Sequence, residues 1–502
     1  MATLNSEGSG SAAHLQITQP RLRWTQILAI SVFSFAFNFH WAALSLIIIP
    51  SQVLKLVGNL DKGTALAIVL VPGAFIALVS NPFFGWLSDH TTGWLARWGS
   101  RRPYILIGTL VNIATLAWMA SARSIPSLAF AYAFTQLSSN AAQAPFHALL
   151  PDLVPAEQRG LTSGVMGLLL IAGNIGGVIV AGLYINATNP LPVYQHYLWL
   201  TYGIIMVVLF VLMLVTIISV RERALRSRQQ MTTEQKPALP RQSVFRLSRP
   251  VQITLITTLL AALLVWGLMA LWNMFQGPHL QINDTLQQVI LEVVVTVGIL
   301  RLFDFHPRRT PDFAWVLATR LLVMLGIYTI QTFLEYYMLD VVGAANPEQA
   351  TTNFVILVSL TSLFSAFIAG WLSDHFGRKR LVYVAGYMMA LVGVIFVVTH
   401  SYVIVFASAA LFGLGYGAYQ SVDWALVVDV LPSEHNYARD MGVWNIAASL
   451  AQVVAPVLGG PLIDTFTRAG HPVLGFQLLF VMAIIYCVLG TFTVRFIRSV
   501  RN

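Results

Sequence analysis

The chain reads "GWLSDH" at Gly85–His90 and again at Gly370–His375, 285 positions apart in 502 residues. Six identical residues at that separation point to an internal duplication, and the flanks extend it. After the first copy the chain continues "TTGWLARWGSRRP"; after the second, "FGRKR". Closing the 7 extra residues of the first copy sets Gly99 opposite Gly377, each followed by a basic cluster. These clusters are Arg101 and Arg102 in one copy, and Arg378, Lys379 and Arg380 in the other. Further on, "QAPFHALLPDLVPAEQRG" (143–160) faces "QSVDWALVVDVLPSEHNYARDMG" (420–442). There Gln143 meets Gln420, and Asp152 meets Asp429.

Hydrophobic residues make up 57% of the chain and charged residues 10%, with a mean hydropathy of +0.72. A water-facing surface carries about 25% charged residues, so this one faces lipid. Long apolar runs predict six spans at 25–49, 63–87, 103–122, 125–150, 160–186 and 196–220. Six more are predicted at 314–339, 349–372, 381–400, 402–428, 441–465 and 473–497. The expected fold is an all-α polytopic membrane protein of two parallel six-helix bundles, 21–220 and 314–502. Between them, 221–313 opens with a basic stretch and continues into an apolar run at 251–272 and a weaker one at 286–303, containing Glu292 and Arg301. Two membrane crossings by this hairpin are preferred; two helices lying on the inner surface are the alternative. Residues 1–20, rich in Ser, Gly and Ala and lacking the order of a cleavable signal, are expected to form a disordered cytoplasmic tail.

With both termini on the cytoplasmic side, 24 of the 29 Lys and Arg fall inside. Only Lys55, Lys62, Arg123 and Arg468 fall outside, and Arg320 lies within a span. That bias sets the orientation. The net charge of +9 therefore resides in membrane-flanking loops and gives no sign of a nucleic-acid partner. Cys487, the single cysteine, excludes an internal disulfide and reads as a packing residue. Neither a phosphate-binding G-x-x-x-x-G-K-[ST] loop nor H-E-x-x-H, a Cys/His cluster or a nucleophile elbow is present, so no ATP-driven or enzymatic chemistry is expected.

The pattern Gly85, Asp89, Gly99, Arg101, Arg102 and its copy Gly370, Asp374, Gly377, Arg378, Lys379, Arg380 resembles the signature of the major facilitator superfamily between spans two and three. The resemblance covers about 20–220 and 314–500. The stretched first copy ending "GSRRPYILIG" is similar to the glycoside and sucrose:cation symporter branch. In that superfamily the motif is a latch for alternating access, which implies the same for these residues. Gly85 and Gly370 are expected to let helices approach closely. Asp89 and Asp374 would face helix N-termini and arginines, with Asp152 and Asp429 as further partners.

Polar groups inside spans are costly in lipid and commonly face a cavity. The cavity candidates are Asn38, His40, Trp41, Asn140, Gln143, Gln331, Glu335, Gln420, Asp423 and Asn445, with His147, Asn174, Arg320, Tyr336 and Tyr419 weighed beside them. The resemblance implies that spans one, four, seven and ten line the cavity. Asp423, Glu335 and His40 are the titratable options for coupling to H+ or Na+. Span four lacks the superfamily's arginine motif and span five the antiporter glycine-proline pattern, which favours symport. The expectation is a monomeric secondary transporter in the cytoplasmic membrane, without a bound cofactor, for a small organic solute such as a sugar or glycoside. Efflux carrier and non-transporting receptor are the alternatives.

Overall fold

The computed structural model describes residues 21–89, 91, 98–219, 249–275, 282, 284–302, 307–431 and 437–498. The expected tail (1–20), most of the basic stretch (220–248) and His90 lie outside them. The N-terminal bundle comprises α1 (Trp24–Val57), α2 (Lys62–Asp89), α3 (Arg102–Ser121), α4 (Ile125–Leu153), α5 (Ala156–Tyr184) and α6 (Leu191–Ser219). The hairpin is α7 (Arg249–Phe275) and α8 (Asp284–Leu302). The C-terminal bundle comprises α9 (Pro311–Asp340), α10 (Pro347–Phe376), α11 (Arg378–Val398), α12 (Tyr402–Val430), α13 (Tyr437–Arg468) and α14 (Pro472–Thr493).

The ends of these helices follow from local chemistry. Pro126, Pro311, Pro347 and Pro472 stand in first turns, where a missing N–H costs nothing. Asn346 caps α10 by accepting from the Gln349 N–H at 3.0 Å. Within α1, Pro50 has no N–H to continue the ladder, and the preceding turn, Leu44–Ile48, widens into a π-helix. Gly99 (φ 115°) and Gly377 (φ 90°) occupy the positive-φ region that L side chains avoid. The second glycine of each motif copy thus makes the turn into the next helix possible.

The two halves repeat one packing scheme. In the first, α1 packs on α5 and α6, α2 on α4, and α3 on α4 and α6. In the second, α9 packs on α13 and α14, α10 on α12, and α11 on α12 and α14. Across the centre, α2 meets α13 and α5 meets α10. The closest helix approaches use glycines that the motif does not contain. A side chain at Gly173 or Gly177 of α5 would strike the backbone of Phe35 or Phe39 in α1. One at Gly413 or Gly417 of α12 would strike that of Val358 or Ser362 in α10. Both pairs have the small-x-x-x-small spacing that lets membrane helices touch.

Eleven helices among the described residues are long and apolar enough to cross a membrane, including Ile256–Phe275 of α7. The helix α4 falls short because Gln136, Ser138, Ser139, Asn140 and Gln143 interrupt it. The insert does form a hairpin. Asn273 closes its turn, donating to the Ile282 carbonyl at 2.8 Å and accepting from the Ile282 N–H at 2.7 Å. The hairpin leans on the bundles through α8, which packs against α2 and α13.

Candidate functional site

The end of the molecule carrying the duplicated loops is the motif end; the opposite end is the far end. At the far end the halves are bonded to each other. Asp464 of α13 accepts from the Gly63 N–H (2.9 Å) and the Thr64 N–H (2.7 Å), capping α2 across the interface. Beneath this cap Gly63 and Gly460 touch backbone to backbone, with no room for a Cβ on either. The Lys62 ammonium, fully buried, donates to Asn59 and to Asp340 of α9, both at 2.5 Å, and lies 4.9 Å from the centroid of the Tyr336 ring. The Tyr336 hydroxyl donates to the Pro50 carbonyl of α1 at 3.0 Å. Glu348 of α10 accepts from the Ser51 hydroxyl (2.8 Å) and the Ala187 N–H (2.6 Å). Thr352 donates to the Val178 carbonyl at 3.0 Å. Below these, Val71 and Ala74 form a separate apolar cluster with Val453 and Val457.

At the motif end the described bonds run inside each half. Arg101 pairs with Asp152 at 3.1 Å and donates to Ser88 at 2.5 Å. Arg102 donates to the Ile217 carbonyl. Arg378 pairs with Asp429 and donates to the Ala425 carbonyl. Arg101 and Arg378 are 277 residues apart, as are Asp152 and Asp429, so the ion pair itself is duplicated. The serine of each "GWLSDH" donates back to its glycine carbonyl at 2.8 Å. Lys379 is buried and Arg380 exposed.

One expectation changes here. A Cβ on Gly85 would come no nearer than 3.9 Å, to Ala144, so this glycine makes no close helix approach in this conformation; Gly370 is tighter, at 3.1 Å from Ser421 Oγ. Close backbone contacts lie instead at Gly173, Gly177, Gly413 and Gly417 within the halves, and at Gly63 and Gly460 between them. Asp152 and Asp429, weighed as partners that the latch charges meet at the inner face, each bind the cluster arginine of their own half. The side chains of Asp89 and Asp374 lie outside the described residues.

Between the ends, the cavity candidates separate. Asn38, Trp41, Gln143, Gln331 and Gln420 are half-buried, and Asn445 is exposed. Asn38 turns back onto the Ser34 carbonyl at 2.8 Å. Trp41 stands edge-on to Tyr132 with centroids 6.2 Å apart, and Gln136 donates to the Tyr132 hydroxyl at 2.9 Å. Asn140 is buried, accepting from Asn81 at 3.2 Å and donating to the Gln136 carbonyl at 2.9 Å. In the other half Gln420 donates to the Tyr416 hydroxyl at 3.0 Å. His40 is fully enclosed, with neither ring nitrogen hydrogen-bonded among the described residues.

Two carboxylates on the cavity list are buried. Asp423 is fully buried and pairs with Arg320, whose guanidinium lies 3.4 Å from the centroid of the Trp444 ring. Glu335, a cavity candidate, is 2% exposed and sits inside the far-end seal. His147, also weighed for the cavity, is exposed. The residues that sequence reasoning missed are Lys62, Asp340, Glu348 and Asp464. Asp464 had a signal, being a lone charge in the apolar run "GGPLIDTF".

Two like bundles are bonded to one another at the far end, while the described ion pairs at the motif end lie within each bundle. The chain belongs to the Major Facilitator Superfamily, whose profile matches residues 26–303 and 316–501, reaching through the insert that the motif resemblance left aside. It is accordingly a transporter-fold protein and no enzyme. Among curated relatives it is 32% identical over 127 residues to Sucrose transport protein SUC3 of Arabidopsis thaliana, covering 21% of each chain. It is 30% identical over 157 residues to a triacylglyceride transporter of Mycolicibacterium hassiacum, covering 31% of this chain and 29% of the relative. The chain thus matches less than a third of either relative's length.

Its fold is similar to that of the peptide transporter POT in complex with sulfate (TM-score 0.64, 15% identity, 95% of this chain and 98% of that one). A bacterial homolog of the human lysosomal transporter Spinster gives a TM-score of 0.62 at 12% identity, covering 94% and 97%. The nucleoside transporter NupG gives 0.60 at 12% identity, covering 94% and 98%.

Proposed function

We propose that the protein is a secondary active transporter that carries a small organic solute across a cell membrane by alternating access, with both termini and the motif end cytoplasmic. The observation behind this reading is the asymmetry of the bonds. The far end is closed by contacts between the halves, while Arg101–Asp152 and Arg378–Asp429 hold their own halves together. That arrangement suits the state open to the cytoplasm, and rocking of the two bundles gives the other. The positive-inside bias supports the orientation.

A sugar or glycoside is the solute class this reading favours, driven by H+ or Na+ symport. The stretched first motif and the match to a sucrose transport protein support it. The test is uptake of radiolabelled sugars into proteoliposomes under imposed pH or Na+ gradients. Gradient-driven accumulation supports the reading. Sugar binding without flux makes the protein a receptor on the same fold. A second reading, export of an amphipathic molecule, draws on the triacylglyceride transporter match. Flux of a labelled lipid but of no sugar would favour it. The latch residues give a further outcome: Asp89→Asn and Asp374→Asn should slow transport more than they weaken solute binding.

A further inference from the structure

Glu335 stands out among the buried carboxyls of the far-end seal. Asp340 receives the Lys62 ammonium, Asp464 two backbone N–H groups, and Glu348 a hydroxyl and a backbone N–H. Neither oxygen of Glu335 has a hydrogen-bond partner among the described residues, and the side chain is shut off from solvent. The charged and titratable groups facing it are Lys62 of α2 and Glu348 of α10, with the Tyr194 hydroxyl of α6 and Tyr336 beside them. Asp464 of α13, Asp340 of α9 and Lys55 of α1 complete the cluster one step away. Lys62 is already shared by Asn59 and Asp340, and Glu348 adds a like charge. A carboxylate in that position lacks the donors that would offset its desolvation; a carboxylic acid does not need them.

We propose that Glu335 is the proton-binding site of the carrier: the far end closes with a proton on Glu335 and opens when that proton is lost. This rests on the transport reading above and names its coupling ion. When Lys62–Asp340, Tyr336–Pro50 and the Asp464 cap part, water reaches Glu335 from the far side, and the carboxylate oxygen takes a proton from hydronium in that solution, leaving water. Closure then buries a neutral group. Gln331 lies one turn toward the motif end on the same face of α9 and is half-buried. The proton leaves along that face once the motif end is open, and the charge left behind favours reopening of the far end. One proton linked in this way shifts the ratio of open to closed far ends by at most about tenfold per pH unit.

The test needs no solute. Spin labels are placed on Leu60→Cys in the α1–α2 loop and Ala345→Cys in the α9–α10 loop, both exposed and in opposite halves; native Cys487 is buried and stays unlabelled. Pulsed electron resonance on the full chain in lipid nanodiscs then gives their separation from pH 5 to 9. The expected result is two separations, the longer gaining as pH rises, with E335Q held at the shorter one throughout. E335D keeps a carboxyl, so it should retain a pH response and show that replacement at this position is tolerated. E335Q following the parent curve, or a parent curve flat in pH while both separations are populated, overturns the proton site and leaves alternating access standing. A single separation at every pH, in the parent and in K62A alike, overturns both.

Discussion

The two ends of this molecule are built from the same chemistry and use it in opposite ways. Both gather Lys, Arg, Asp and Glu where helices stop. At the far end these groups reach across from one bundle to the other, as Lys62 does to Asp340 and Asp464 to the first turn of α2. At the motif end Arg101 and Arg378 each find an aspartate in their own bundle. Bonds between the halves close a path, whereas bonds within a half stiffen a lever. Among the described residues the duplicated ion pairs lie within a half, and the contacts between the halves use residues outside the quoted repeats.

The largest effect is expected at the glycine contact. Gly460→Leu places a side chain into the Gly63 backbone and should prevent closure. With Val71→Cys as a reporter in the seal, an impermeant maleimide should label the Gly460→Leu protein readily and its parent hardly at all. Absence of labelling in both would show that the seal does not depend on this contact.

Next in size are the two buried ion pairs, which separate the roles. Lys62→Ala strands Asp340 and should weaken the closed far end by about 3–5 kcal/mol, with K62A/D340A recovering part of it. The same maleimide accessibility measures this; equal labelling of parent and K62A would count against a closing role. Arg320→Gln strands Asp423 inside one half, and a loss of similar size should appear as a lower unfolding temperature with accessibility unchanged. A change in accessibility without loss of stability would place Arg320 in the gate instead.

The partly exposed pairs should contribute least. Arg378 and Asp429 have side chains 23% and 36% exposed, so Arg378→Ala should lower stability by about 1 kcal/mol or less. Arg468–Asp61 joins the halves at the far end, yet both side chains are more than half exposed. Asp61→Asn should shift the labelling curve by about 0.2–1 kcal/mol, and less in high salt. A response as large as that of Lys62→Ala would mean that burial is not what ranks these contacts.

Much of the fold was legible because its causes repeat along the chain. Lipid demands apolar runs of about 20 residues with their own hydrogen bonds satisfied, so the helices announce themselves. The duplication of "GWLSDH", of Gly99 as Gly377, and of Asp152 as Asp429 gave the two halves and their like orientation. The polar candidates were legible only as a set. That Gln420 meets Tyr416 one turn away follows from helix spacing, but that Asp423 meets Arg320 joins positions on different helices, 103 residues apart.

The sequence by itself determined the class of fold, the repeat, and the positive-φ turns for which only glycine is suited. Tertiary structure alone decided which end is closed and which charges close it. Lys62, Glu335, Glu348 and Asp464 look alike in a linear reading, each a charge at or near the end of an apolar run. Packing gave three of them hydrogen-bond partners and left Glu335 with none among the described residues, because a buried charge depends on what neighbouring helices bring to it. Those neighbours come from α1, α2, α6 and α10, scattered over some 300 residues, and no local pattern in the chain records that they meet.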